Sequence, residues 1–139
     1  MTAKQYLRQV RDLNEDIEIA QRYYERCMRD IALLKSPRLD GDRVQSSGSG
    51  NGFTVQVERL IDLQQDLNKR IDRFINVRDK IYRQIAGMPS PHKELLWKRY
   101  IEYKSLENIA EELNYSYQWA RELHGIALKA FADKYMQPQ

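Results

Sequence analysis

An all-α fold is predicted by three features of this sequence. Apolar residues recur at alternating spacings of three and four over two long stretches, no Gly or Pro falls between Thr2 and Lys35, and short polar caps punctuate the C-terminal third. The layout they predict is a long antiparallel helical hairpin at residues 1–87, coiled-coil-like and with a loop at 36–53. A smaller three-helix domain follows at 88–139.

The first helix is marked by Tyr6, Val10, Leu13, Ile17, Ala20, Tyr24, Cys27, Ile31 and Leu34, a heptad seam of the kind that lies along another helix. From Thr2 to Lys35 it spans about 48 Å, and Ser36-Pro37 stops it. A second seam begins after Phe53 with Val57, Leu60, Leu67, Ile71, Phe74, Ile81 and Ile85, broken by Gln64 and Arg78, and Gly87 suits its C-terminal cap. Between the two lies SPRLDGDRVQSSGSGNG, whose Ser, Gly and Asp leave little to pack. It reads either as a flexible connection or as a partner-binding or regulatory loop. Off the seams, Leu7, Ile19, Tyr23, Met28, Leu33, Ile61, Leu63, Ile75 and Tyr82 need a second surface. A second copy of the chain, or the C-terminal domain, would supply it, and a homodimer is expected.

The C-terminal domain opens with Ser90 as a cap, Pro91 in the first turn, and an apolar face of Leu95, Leu96, Trp97, Tyr100 and Ile101. Ser105 caps a second, short helix with Leu106, Ile109, Ala110 and Leu113 inward and Glu107, Glu111 and Glu112 outward. Asn114 tolerates the left-handed backbone of a tight corner, and Ser116 offers its hydroxyl to the amides of a third helix, from Tyr117 to about Tyr135. Its buried set is Ala120, Leu123, Ala127, Leu128 and Phe131, which leaves Tyr117, Gln118, Arg121, Glu122 and Gly125 facing out. Small Ala110 and Ala120 let the two helices cross closely.

This pattern reads as a helix-turn-helix, which supports its second helix on the first so that the N-terminal face of the second enters the major groove. The expected DNA-binding residues are Ser116, Tyr117, Gln118, Arg121 and Glu122. Gln118 suits adenine, Arg121 guanine or a phosphate, Glu122 a cytosine amine, and Tyr117 a phosphate or a thymine methyl. Ser116 and the first amides of the helix suit a phosphate. The expected partner is double-stranded DNA.

Composition narrows the alternatives. With 42% hydrophobic and 31% charged residues, disorder throughout is not expected, and the formal charge of +3 permits a nucleic-acid partner without announcing one. The single Cys27, with His92 and His124, forms no zinc-ligand spacing, and Cys27 itself reads as a small buried apolar residue. Tyr6 and Tyr24 read as core aromatics, His92 as exposed in the first turn of its helix, and His124 as a half-buried scaffold residue. There is no phosphate-binding Gly-rich motif, so no enzyme, cofactor, metal or small-molecule substrate is expected. A soluble protein of a reducing cytoplasm is expected, not one at a membrane.

The segment LLWKRYIEYKSLENIAEELNYSYQWARELHGIALKAF resembles region four of bacterial sigma factors. Arg99-Tyr100, Leu106, Ile109, Ala110, Leu113, Ser116, Ala127 and Leu128 fall in step with it. Where sigma factors usually have R-E-R-V-R-Q, this chain has Tyr117-Gln118-Trp119-Ala120-Arg121-Glu122, so only Arg121 keeps the basic contact. The full layout is similar to small phage proteins related to the RinA and ArpU late-transcription regulators. That resemblance implies a phage or prophage transcriptional activator working with RNA polymerase.

Two other readings stand beside it. One is a DNA-packaging oligomer of the small-terminase kind, which a ring of many subunits would mark. The other is a protein-binding adaptor that leaves DNA alone. From Met88 onward the bases (93, 98, 99, 104, 121, 129, 134) equal the acids (94, 102, 107, 111, 112, 122, 133) in number, which is lean for a DNA reader. Trp119, on the flank of the third helix, reads as a packing residue.

Overall fold

The structure, a computed structural model, describes residues 1–35 and 47–136. Within them every regular element is helical: α1 (Ala3–Lys35), α2 (Ser47–Ala86), α3 (His92–Leu96), a π-helical turn (Trp97–Ile101), α4 (Leu106–Leu113) and α5 (Tyr117–Tyr135). Among the described residues no helix is long and apolar enough to cross a membrane. Of the expected loop, 36–46 lies outside the described residues. The rest is a correction: α2 starts at Ser47, so 47–53 are helical. Once an apolar stretch has nucleated a helix, each added residue brings one hydrogen bond, which offsets the roughly 1 kcal/mol that a Gly costs.

Contacts divide the chain into two compact units, Met1–Asn14 with Arg73–Gln139, and Glu15–Asp72. The division differs from a boundary at residue 87, and the cause is apolar packing. Leu7, Val10, Ile81, Ile85, Met88, Leu95, Leu96, Tyr100, Ile109, Leu123, Ala127 and Phe131 share one buried cluster. A segment as short as 88–139 has too little interior to close over residues such as Phe131 and Leu95, both 0% exposed. The first turns of α1 and the last turns of α2 complete it. Tyr6 shows how: its ring lies 5.9 Å from that of Phe131, and its hydroxyl donates to Gln84 Oε1 at 2.6 Å. Leu7, off the heptad seam, is thereby buried within a single chain.

In the other unit the seam is half-buried from Ile17 to Ile31, and Leu67 is buried. Arg59 donates to the Tyr23 hydroxyl at 2.6 Å. Ile19, Met28, Leu33 and Ile61 are exposed, as is Leu34, which the heptad pattern had placed on the seam. Cys27 is half-buried and free.

Two expected caps take another form. No side chain caps α3, because Pro91 occupies the cap position in helical conformation and the backbone carbonyls of Pro89 and Pro91 accept from Lys93 and Leu95; Ser90 sits one residue too early. At the end of α2, Gly87 is not left-handed. Its value is space, since a Cβ there would collide with the Tyr135 hydroxyl, and Lys134 Nζ donates to its carbonyl.

Candidate nucleic-acid interface

The region of interest is built from α4 and α5. Ser105 accepts from the Asn108 amide at 3.2 Å, starting α4, whose Ile109 and Ala110 are 0% and 4% exposed. At its end Asn114 adopts φ 58°, ψ 39°, the left-handed region where its short amide is tolerated. The Tyr115 amide then bonds back to Ala110 O at 2.8 Å, satisfying a carbonyl that the helix end leaves open. Two residues later Ser116, in extended conformation, accepts from the Trp119 amide at 3.1 Å and starts α5.

On α5 the core side is Ala120, Leu123, Ala127 and Phe131, with Leu128 half-buried at its edge. Each of the five expected DNA-binding residues, Ser116, Tyr117, Gln118, Arg121 and Glu122, is exposed. The Arg121 guanidinium lies over the Tyr117 ring at 5.7 Å, a cation–π contact one turn apart that limits where the arginine can reach. Trp119 is 40% exposed and Ile126 49%, so this flank of α5 shows more apolar surface than a packing role for Trp119 implies.

His124, one turn beyond Arg121, lies 2.7 Å from the Tyr100 hydroxyl through Nε2. Burial, reinforced by the nearby charges of Arg99 and Lys4, holds its pKa down to about 4. Burial also pushes the Tyr100 phenol up to about 12, against the opposing pull of Arg99 and Arg8. Both groups are therefore neutral at pH 7, and the tautomer of the ring sets which of them donates in this bond. His92 departs from expectation: it is half-buried, and its Nδ1 is buried without a partner.

The approach to α4 is unusual in its backbone. In the π-helical turn Glu102 N bonds to Trp97 O at 3.1 Å, and Lys104 N to Lys98 O at 3.0 Å. Tyr103 follows at φ 61°, a left-handed conformation that costs a bulky residue about 1–2 kcal/mol. Lys104 anchors the stretch: its Nζ reaches Glu112 at 2.6 Å and Glu102 at 3.7 Å, and Lys98 reaches Glu112 at 3.4 Å. These contacts hold the Glu112 carboxyl below its usual range and the Lys104 ammonium above its own.

Sequence reasoning missed the cations that the unit gathers from outside its last three helices. Lys4, Arg8 and Arg11, against one Asp12, come from α1, and Arg73, Arg78, Lys80 and Arg83, against one Asp79, come from α2. The i, i+4, i+7 spacing of Lys4, Arg8 and Arg11 was the signal, legible only once α1 is known to pack here. No protein-family profile matches the chain, and no curated protein or solved structure does either.

Proposed function

We propose that the chain is a sequence-specific DNA-binding transcriptional regulator, an activator of phage or prophage type, whose α4, Asn114 corner and α5 act as a helix-turn-helix. The observation that carries this reading is the two-sidedness of α5. Ala120 and Leu123 hold it against the core, while Tyr117, Gln118, Arg121 and Glu122 remain exposed at its N-terminal end, the end that meets base edges in such motifs. The Ser116 cap and the open amides beside it suit a backbone phosphate. In each unit taken by itself a stretch of α1 lies beside a stretch of α2, through Tyr6 with Gln84 in one and Tyr23 with Arg59 in the other. Exposed Ile19, Met28, Leu33 and Ile61 suit pairing with a second copy, which doubles the DNA contacts that one lean domain makes. The activator works in the cytoplasm, at the nucleoid, by recruiting RNA polymerase.

The test is selection of duplexes from a random library by the purified full chain, with its mass in solution measured alongside. A two-part motif and a dimeric mass are expected. No enrichment of any sequence rejects the regulator, and a ring of many subunits favours DNA packaging instead. In the dimer, Ile19→Glu with Ile61→Glu should shift the mass to that of one chain.

A further inference from the structure

The segment from Met88 onward carries as many acids as bases, so holding a phosphate backbone requires charge from elsewhere in its unit. Lys4, Arg8 and Arg11 on one face of α1 meet Arg99, Tyr100 and Tyr103 around a pocket of about 110 Å³. None of these six residues is acidic. Lys4 and Arg8 are exposed and, among the described residues, have no carboxylate partner. Arg99 donates Nη1 to Lys104 O at 2.9 Å, while its Nε is buried with no acceptor. The charges of Lys4, Arg8 and Arg99 round one opening repel each other. A multi-oxygen anion relieves that repulsion, and a guanidinium fork is shaped to receive it.

The position of the pocket identifies the source of that anion. Tyr100 in its wall bonds His124, and His124 shares a flank of α5 with Arg121 and Tyr117, which stand one and two turns nearer the helix start. Tyr100 and His124 therefore link the wall of the pocket to the flank that carries two of the residues proposed to face DNA. We infer that the pocket seats a phosphate of the DNA backbone next to the groove that α5 enters, an anchor that rests on the regulator reading above.

The experiment compares the full chain with its Lys4→Gln/Arg8→Gln variant, both changes falling on exposed side chains. Affinity for the selected duplex is measured across a range of salt concentrations, and thermal stability is followed with added inorganic pyrophosphate. Expected are a salt dependence shallower by about one in slope, an unchanged base preference, and pyrophosphate stabilisation confined to the unmodified chain. An unchanged slope with duplex binding intact overturns the anchor and leaves the regulator standing. Failure of the unmodified chain to bind any duplex, with pyrophosphate stabilisation retained, overturns the DNA source and leaves a site for a free phosphate ligand. Loss of both overturns the pocket as an anion site.

Discussion

Arg121 and His124 stand one turn apart on α5 and answer to different chemistry. Arg121 is exposed and restrained by the Tyr117 ring, so Arg121→Ala should relax base preference at one position at a cost of about 1–3 kcal/mol. Repeating the duplex selection with that variant checks it. His124 responds to acid. Its pKa of about 4 in the folded chain lies below the ordinary 6.5, so the unfolded chain binds more protons between those values. Stability is full above pH 6.5 and falls as pH drops towards 4, by about 1–2 kcal/mol after allowing for solvent screening at the partly exposed ring. Urea unfolding at a series of pH values should show this slope, and His124→Phe should flatten it. The half-buried standing of His124 was legible from its place beside the apolar stripe. Its partner was not, because Tyr100 lies on another helix and periodicity carries no information about contacts between helices.

Among the elements, α4, the corner and α5 were legible nearly residue by residue, since caps and left-handed turns are decided within a few bonds of the residues that make them. Ser116→Ala should cost about 1 kcal/mol through the lost bond to Trp119 N. At the corner, Asn114→Val should cost more than Asn114→Gly, because a branched Cβ resists φ 58°; thermal unfolding of the pair measures the difference. The π-helical turn and the left-handed Tyr103 were not legible. They arise where Tyr100 is drawn into the core while Lys104 is held by Glu112, and neither partner is local in sequence. The start of α2 was hidden for the opposite reason, since Ser and Gly signal a break even where an adjoining helix extends through them.

At the scale of the molecule, the seams of α1 and α2 were readable, whereas the grouping of their ends with the C-terminal helices followed from volume that no periodic pattern records. Leu7→Ala, at a site with 0% exposure, should destabilise that unit by about 2–5 kcal/mol in denaturant unfolding. A fragment covering 88–139 should lack cooperative unfolding by circular dichroism, since the faces of Leu95 and Phe131 would lose their cover.

The sharing of one core by Leu7 and Phe131 also governs the order of events during translation. A ribosome delivers the early turns of α1 long before the residues that will enclose them, and loop closure over so long a separation is slow. Until then those turns wait with their greasy side bare, the condition in which nascent chains recruit chaperones.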